Sequence, residues 1–183
     1  NRLLVPSCDL GEKFTVSGWF YQKFIYGYHR LITCKESASE DGWHTEWAYG
    51  GTEGEGTILS VFGNGNSHVN ADVGSIKGRW AYLTLVFDVD GLRVYSDGVL
   101  CAEGNISPVK TGSRAIAIGG SPEGSEPSFE GFYDEVRIAK TALSAERIAA
   151  DFATVDNRGF FDFGAVGVPV YAGFSGGTSA WKL

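Results

Sequence analysis

One stretch of the sequence, residues 78–102, constrains the fold of this 183-residue chain more than any other. It reads GRWAYLTLVFDVDGLRVYSDGVLCA, and residues 83–87 alternate at the two-residue period of a half-buried strand. An Asp-Gly pair follows at 90–91, a dipeptide that tolerates positive φ and suits a hairpin turn. The stretch therefore predicts two antiparallel strands, with a further turn at the Asp-Gly pair 97–98.

The rest of the chain carries many short segments of the same kind. Residues 14–21 and 43–49 alternate with period two, while 57–62 and 131–139 are rich in β-branched and apolar side chains. Glycine accounts for 26 residues and proline for only 5, which is typical of short strands joined by glycine turns. Because strands and helices do not alternate, a parallel α/β fold is excluded. The sequence predicts an all-β, antiparallel two-sheet sandwich of jelly-roll type.

A single short helix is predicted over residues 145–152. Ser144 has the side chain of an N-cap, and Glu146 lies in the first turn, where a negative charge complements the helix dipole. Leu143 and Ile148 have the spacing of a hydrophobic staple. The helix is amphipathic, so we expect it to pack on a surface built by strands.

The charge balance excludes two classes of partner. Lysine and arginine number 15 against 22 acidic residues, which gives a net charge of −7 with no basic stripe to attract a phosphate backbone. Binding to nucleic acid is therefore not expected. No apolar run approaches the ~20 residues of a membrane-spanning helix, so membrane insertion is not expected either.

Because the chain opens on Asn1 within a strand-like run, we expect it to be part of a larger multidomain chain.

Cysteines and histidines define no metal site in the sequence. Cys8, Cys34 and Cys101 are odd in number, so either all three are free or one disulfide forms between a pair that the sequence does not identify. Their spacing is too wide for a zinc ribbon, and the three histidines form no helical ligand pair.

Three segments resemble the laminin-G-like modules of the concanavalin A-like lectin and glucanase superfamily, as found in bacterial multidomain surface proteins. They are residues 14–21 (FTVSGWFY), 79–98 (RWAYLTLVFDVDGLRVYSDG) and 131–152 (GFYDEVRIAKTALSAERIAADF). The resemblance spans most of the chain. It implies a concanavalin A-like jelly-roll domain over residues 1–165, with residues 166–183 as a closing strand or a linker to a missing neighbour.

The resemblance also implies a function and a location. Modules of this kind bind sugars or proteins, commonly outside the cell or on its surface, require no cofactor and often hold a structural calcium. Asp134 is similar to an acidic position near which calcium is sometimes held, but one carboxylate does not define a site, since calcium takes six or more oxygens. Trp80 and residues 97–98 match positions that look structural.

Catalysis is not expected. Endoglucanases that share this fold carry carboxylates on alternate residues of one strand, Glu-x-Asp-x-Glu, and no such motif occurs here. The nearest pair, Glu53 and Glu55, lies in a Gly-rich segment that would not hold two carboxylates at the ~5 Å a retaining mechanism needs. A glycoside hydrolase is therefore disfavoured relative to a binding module.

A carbohydrate site is predicted on strand 43–49 and in the loop before it, because flat aromatic rings stack on the apolar faces of sugars while polar neighbours fix the hydroxyls. The predicted ligand-binding residues are Trp43, Trp47, Tyr49, His44, Glu46, Tyr26, Tyr28 and His29.

The competing interpretation is that Trp43 and Trp47 fill the sandwich core, which would leave His44 and Glu46 facing solvent without a role; Trp19 is ambiguous in the same way. Two functions thus stay open. One is a non-catalytic, lectin-like module for a glycan or polysaccharide, and the other is a structural or adhesive spacer that binds surface proteins.

Overall fold

The computed structural model describes residues 2–23, 29–37, 40–47, 57–89, 91–107, 109–112, 114–124 and 129–156. Within these ranges the chain forms eleven strands and one helix. In chain order they are β1 (Leu3–Val5), β2 (Phe14–Gln22), β3 (Ile32–Thr33), β4 (His44–Trp47), β5 (Ile58–Phe62), β6 (His68–Asp72), β7 (Trp80–Asp88), β8 (Gly91–Ser96), β9 (Val99–Asn105), β10 (Ile116–Ile118), β11 (Gly131–Ala139) and α1 (Ala145–Asp156).

The strands form two antiparallel sheets. Sheet A has the order β1-β10-β3-β4-β5-β6, and sheet B has the order β11-β2-β7-β8-β9. The predicted all-β, two-sheet sandwich with one short helix is therefore confirmed.

The predicted hairpin lies at the centre of sheet B as β7 and β8, and β9 follows it through the turn at 97–98. Asp97 and Gly98 have φ of 51° and 78°, as a type I′ turn requires at both central positions. The Asp97 carboxylate accepts hydrogen bonds from the Tyr82 backbone N–H at 2.8 Å and from Arg79 Nη1 at 2.9 Å. The turn is thus tied back to the start of β7. Asp90 lies outside the described residues.

The core lies between the inner faces of the two sheets. Phe14 of sheet B stacks on Phe87 with ring centroids 4.4 Å apart, and both rings contact Trp43 of sheet A. At one edge the two sheets approach so closely that a Cβ at Gly104 of sheet B would lie only 2.9 Å from Val69 Cγ2 of sheet A. Interdigitation of this kind gives the sandwich its native packing density.

Helix α1 begins at Ala145 as predicted and ends at Asp156, one turn later than predicted. The Ser144 hydroxyl accepts a hydrogen bond from the Arg147 backbone N–H at 3.3 Å, which confirms its role as the N-cap.

The helix covers part of the outer face of sheet B. Ile148 is buried against Val86 and Tyr95 in a second, smaller apolar cluster. The hydroxyl of Thr15 on β2 accepts a hydrogen bond from the Leu143 backbone N–H at 3.0 Å and fastens the segment before the helix. The helix leaves the rest of that outer face uncovered by described residues.

Cys8, Cys34 and Cys101 are all free in the structure. Burial raises the pKa of the Cys34 thiol to about 11, so this group behaves as a small apolar side chain. In the described part of the chain, no helix has the length and apolar character needed to span a bilayer. Residues 157–183 lie outside the described ranges, so the division of the chain at residue 165 stays a prediction.

Candidate functional site

Trp43 and Trp47, the two tryptophans of the predicted carbohydrate site, lie on the inner face of sheet A. Both side chains are 0% exposed and belong to the main apolar core. A sugar ring needs an accessible aromatic face, and neither indole offers one. The alternative interpretation, in which these two residues fill the core, therefore fits the structure.

His44 and Glu46 point to the opposite, outer face of sheet A. The His44 ring is buried and stacks on Phe62, with centroids 4.3 Å apart and planes 7° from parallel. Its Nε2 lies 3.6 Å from a Glu46 carboxylate oxygen, and Arg30 Nη2 lies 3.9 Å from the same oxygen. Burial lowers the pKa of His44 to about 4, so the imidazole is neutral at pH 7. The expectation that His44 faces solvent if the tryptophans are buried is thus wrong.

The remaining predicted residues divide between buried and undescribed positions. The His29 side chain is buried, which lowers its pKa, and its carbonyl accepts a hydrogen bond from the Trp47 backbone N–H at 3.1 Å. Tyr26, Tyr28 and Tyr49 lie outside the described residues. Glu46, with a side chain 20% exposed, is the most accessible of the five that the structure describes.

A row of three aromatic side chains, exposed at its two ends and half-buried at its centre, crosses the outer face of sheet B. Phe132 of β11 pairs in register with Tyr21 of β2, which pairs in register with Trp80 of β7. Neighbouring ring centroids are 5.8 Å and 5.7 Å apart. Phe132 is 50% exposed and Trp80 is 42% exposed. Since neighbouring strands lie about 4.8 Å apart, the row spans about 10 Å.

A second aromatic group supports this row from the side of the helix. Trp19 lies two residues before Tyr21 on β2, on the same face of the sheet, and pairs in register with Tyr82. Its ring centroid is 5.3 Å from that of Tyr82 and 5.7 Å from that of Phe152 of α1. Trp19 and Tyr82 are buried, so this group fixes the outer face of sheet B beneath the end of the helix.

A cleft of about 460 Å³ opens alongside the row, next to Trp19 and the end of α1. Its lining residues are Trp19, Trp80, Asp134, Glu135, Val155 and Asp156. β11 has a bulge between Asp134 and Arg137, and Glu135 within it adopts a φ of 47°. Bulges re-aim side chains, and left-handed non-glycine residues concentrate at functional sites. The bulge therefore makes the middle of β11, which lines the cleft, a candidate part of a functional site.

The two long sides of the row differ in charge. On one side, Lys23 Nζ lies 4.3 Å from the Phe132 ring centroid, a cation–π contact. On the other side, the cleft carries the carboxylates of Asp134, Glu135 and Asp156, and Asp134 pairs in register with Trp19, two residues before Tyr21 on β2. Positive charge therefore lies along one side of the row and negative charge along the other.

The sequence does not reveal the row, because its three residues come from three distant segments. Only the pairing of the three strands sets the register that brings these residues side by side. Trp80 matched a position that looked structural, yet its ring is exposed. The one indication in the sequence is the period-two alternation of residues 14–21, which places Tyr21 on the same face of the strand as Trp19.

Asp134, which the resemblance associates with a calcium position, and its neighbour Glu135 contact groups of the protein itself. Asp134 Oδ1 accepts a hydrogen bond from the Glu135 backbone N–H at 2.8 Å, and the Glu135 carboxylate pairs with Arg137 at 2.6 Å. Across the described ranges, no three His, Cys, Asp or Glu side chains are grouped so that they could hold a metal ion.

The antiparallel two-sheet sandwich with a single helix defines a jelly-roll module, and sequence comparison identifies its family. A sequence profile of the concanavalin A-like lectin/glucanases superfamily, laminin-G type, matches residues 2–149. The chain therefore belongs to that superfamily, as the resemblance of its motifs predicts. No curated protein matches the sequence.

Solved structures share the fold at low sequence identity. A heptameric SAP-like pentraxin from Limulus polyphemus superposes with a TM-score of 0.62 at 18% identity, over 81% of this chain and 73% of that chain. Domain 4 of AbnA, an extracellular arabinanase from Geobacillus stearothermophilus, solved in complex with arabinotriose, gives 0.59 at 19% identity over 83% and 72%. The binding domain of botulinum neurotoxin serotype D gives 0.62 at 15% identity, over 84% and 40%.

Proposed function

We propose that this chain is a non-catalytic carbohydrate-binding module that receives saccharide rings on the aromatic row Phe132–Tyr21–Trp80. The observation that carries the proposal is the row itself, three in-register aromatic side chains of which the outer two are about half exposed. Apolar side chains of this size in solvent mark an interaction surface rather than a core.

The row has the dimensions and chemistry that a saccharide needs. A platform of about 10 Å is long enough for two consecutive sugar rings, whose C–H faces stack on aromatic rings. Polar groups flank it, with Lys23 on one side and Asp134 on the other, and these would fix hydroxyl groups and set the orientation.

Two of the similar structures support a binding role. The AbnA domain was solved with arabinotriose, and the neurotoxin domain is a binding domain. With identities below 20%, these similarities establish the fold alone, so the ligand is proposed from the row and not from the relatives.

The module is proposed to work without catalysis and without calcium, outside the cell or on its surface. The absence of catalysis is proposed from the sequence, which lacks the Glu-x-Asp-x-Glu motif that endoglucanases of this fold use to position a carboxylate pair. The extracellular setting rests on the family resemblance and on the AbnA enzyme, which is described as extracellular.

The decisive experiment is a glycan array followed by calorimetric titration, with wild type and Trp80→Ala in buffer containing EDTA. We expect wild type to bind at least one neutral or charged oligosaccharide, and Trp80→Ala to lose about tenfold or more, because stacking on an exposed indole contributes about 1 kcal/mol or more. Leu100→Ala is the matched control, since Leu100 is 45% exposed at the far edge of sheet B.

The second candidate function, a spacer that binds other proteins, is favoured by the edge strand β9. Its Val99 and Leu100 are exposed, and an edge strand offers unpaired backbone groups to a partner. The absence of binding to every glycan on the array, or equal binding by wild type and Trp80→Ala, would contradict the carbohydrate site on the row.

A further inference from the structure

We propose that the cleft beside Trp80 recognises a protonated amine, so that the preferred ligand is a saccharide of amino sugars whose amines are not acetylated. This inference rests on the proposed function, since it names the ligand class of the same surface.

The cleft has more carboxylates than cations. Three acidic side chains line it, and Arg137 pairs with Glu135. The nearby Arg79 is held by the Asp97 carboxylate at 2.9 Å. In the described part of the chain, neither Asp134 nor Asp156 forms an ion pair, and both are exposed. A cation in the cleft would be attracted by both carboxylates.

The C-terminal end of helix α1 adds further negative potential. Val155 and Asp156 are the last two residues of α1, and both line the cleft. The last carbonyls of a helix carry the negative end of its dipole, where cations are favoured. The last turn of α1 contains no basic residue, so the helix does not supply its own counter-charge there.

The aromatic wall selects an organic cation over a bare metal ion. Trp80 is 42% exposed where the row meets the cleft, and tryptophan is the best aromatic partner for a cation. Lys23 already occupies the face of Phe132, on the side of the row away from the cleft. A ligand that carries both a sugar ring and a charged amine would therefore place the ring on the row and the amine in the cleft beside it.

The test compares two oligosaccharides that differ in charge and acetylation but share the same backbone, a trimer of glucosamine and a trimer of N-acetylglucosamine. Titration at about pH 6 keeps carboxylates ionised and amines protonated. We expect the glucosamine trimer to bind about tenfold more tightly. We also expect that preference to shrink as sodium chloride rises from about 50 mM to about 500 mM.

Variants separate the cleft from the general negative charge of the protein. Asp134→Asn with Asp156→Asn should abolish the preference for the amine. The control, Glu12→Gln with Asp72→Asn, removes two charges from exposed positions outside the cleft lining and should keep it. Thermal unfolding of each variant checks that both pairs fold. Equal loss in both pairs would overturn the proposal, because it would mean attraction by net charge alone.

Another cation, Arg158, follows Asp156 by two residues in the sequence. In Arg158→Ala, retained or tighter binding of the glucosamine trimer supports the proposal, and lost binding contradicts it.

The outcomes distinguish the two proposals. Equal binding of the two trimers, with both abolished by Trp80→Ala, overturns the amine proposal and leaves the carbohydrate site standing. The absence of binding to both trimers and to every glycan on the array overturns the carbohydrate site itself, and the amine proposal with it.

Discussion

The ammonium group of Lys35 donates a hydrogen bond to the carbonyl oxygen of Gly65 across 2.9 Å, although the Lys35 side chain is 0% exposed. It also donates to the Gly63 carbonyl at 2.5 Å and approaches the Glu40 carbonyl at 3.5 Å. Backbone carbonyls gathered in this way resemble the environment of a bound cation, and here a side chain provides the charge. Lys35 thus joins the turn after β5 to the segment before β4.

We predict that Lys35→Met lowers the free energy of unfolding by about 2 kcal/mol, because it leaves the Gly63 and Gly65 carbonyls without this donor. Urea unfolding measures the change. Lys110→Met is the control, since the Lys110 side chain is 73% exposed and its surface ion pair with Asp41 contributes about 0–1 kcal/mol. Equal stability of the two variants would contradict a structural role for Lys35.

The contribution of Lys35 should also depend on pH. Burial lowers the pKa of Lys35 from 10.5 to about 8. Between about pH 8 and pH 10.5 the unfolded chain therefore binds more protons at this group, so its contribution to stability rises with pH across that window. The stability difference between wild type and Lys35→Met should widen from pH 8 to pH 10, because a neutral amine still donates two hydrogen bonds. A constant difference would contradict the lowered pKa.

His44 predicts a loss of stability in acid. Burial lowers its pKa from 6.5 to about 4, so the unfolded chain takes up a proton between pH 6.5 and pH 4 while the folded chain does not. Stability should fall through that window by about 2–3 kcal/mol from this group. His44→Gln removes the titration, so its stability should vary less with pH than wild type over the same range. His68→Gln is the control, because His68 is exposed.

Truncation of Trp43 should mainly lower stability, whereas truncation of Trp80 should mainly weaken saccharide binding. Trp43→Ala opens a cavity in the core and should cost about 3–5 kcal/mol of stability. Trp80→Ala removes an exposed side chain and should cost about 1 kcal/mol or less while it weakens saccharide binding. Chemical denaturation of the two variants checks the contrast. A large stability loss in Trp80→Ala would mean that this indole is structural.

The architecture was predictable because each strand carries its own signal. Period-two alternation identified β2 and β7, the Asp-Gly pair at 97–98 identified a turn, and Ser144 marked the start of the helix. Strand β3 comprises only Ile32 and Thr33, and the Ile32 backbone N–H donates to the Thr45 hydroxyl at 3.0 Å instead of to a backbone carbonyl of β4, an irregularity that no sequence period indicates.

The location of the candidate site was not predictable in the same way. Alternation shows that a strand has two faces but not which face meets the other sheet, so Trp43 on an inner face and Trp80 on an outer face look alike in sequence. The aromatic row depends on register across three strands, and register is a property of pairing rather than of any one segment. The expectation that His44 faces solvent failed for another reason: His44 lies on the outer face, but the Phe62 ring of the neighbouring strand covers it, and only strand pairing brings those two rings together.

The aromatic row also depends on a glycine. Gly131 begins β11 opposite Gln22, next to the Phe132–Tyr21 pair. A Cβ at position 131 would overlap the Tyr21 carbonyl oxygen and lie 2.8 Å from the Phe129 ring. Gly131→Ala must therefore displace the start of β11 and with it the exposed ring of Phe132. We expect a stability loss of about 1–3 kcal/mol and weaker saccharide binding.

Gly91→Ala provides the matched control for that prediction. Gly91 likewise begins a strand of sheet B, but a Cβ there would meet nothing closer than the Gly104 carbonyl oxygen at 3.9 Å, an ordinary contact. We expect its stability to stay within about 1 kcal/mol of wild type, or to rise, because alanine has less backbone freedom to lose. If Gly131→Ala bound saccharide as tightly as Gly91→Ala, the placement of Phe132 by the start of β11 would not matter for recognition, and the row would reduce to Tyr21 and Trp80.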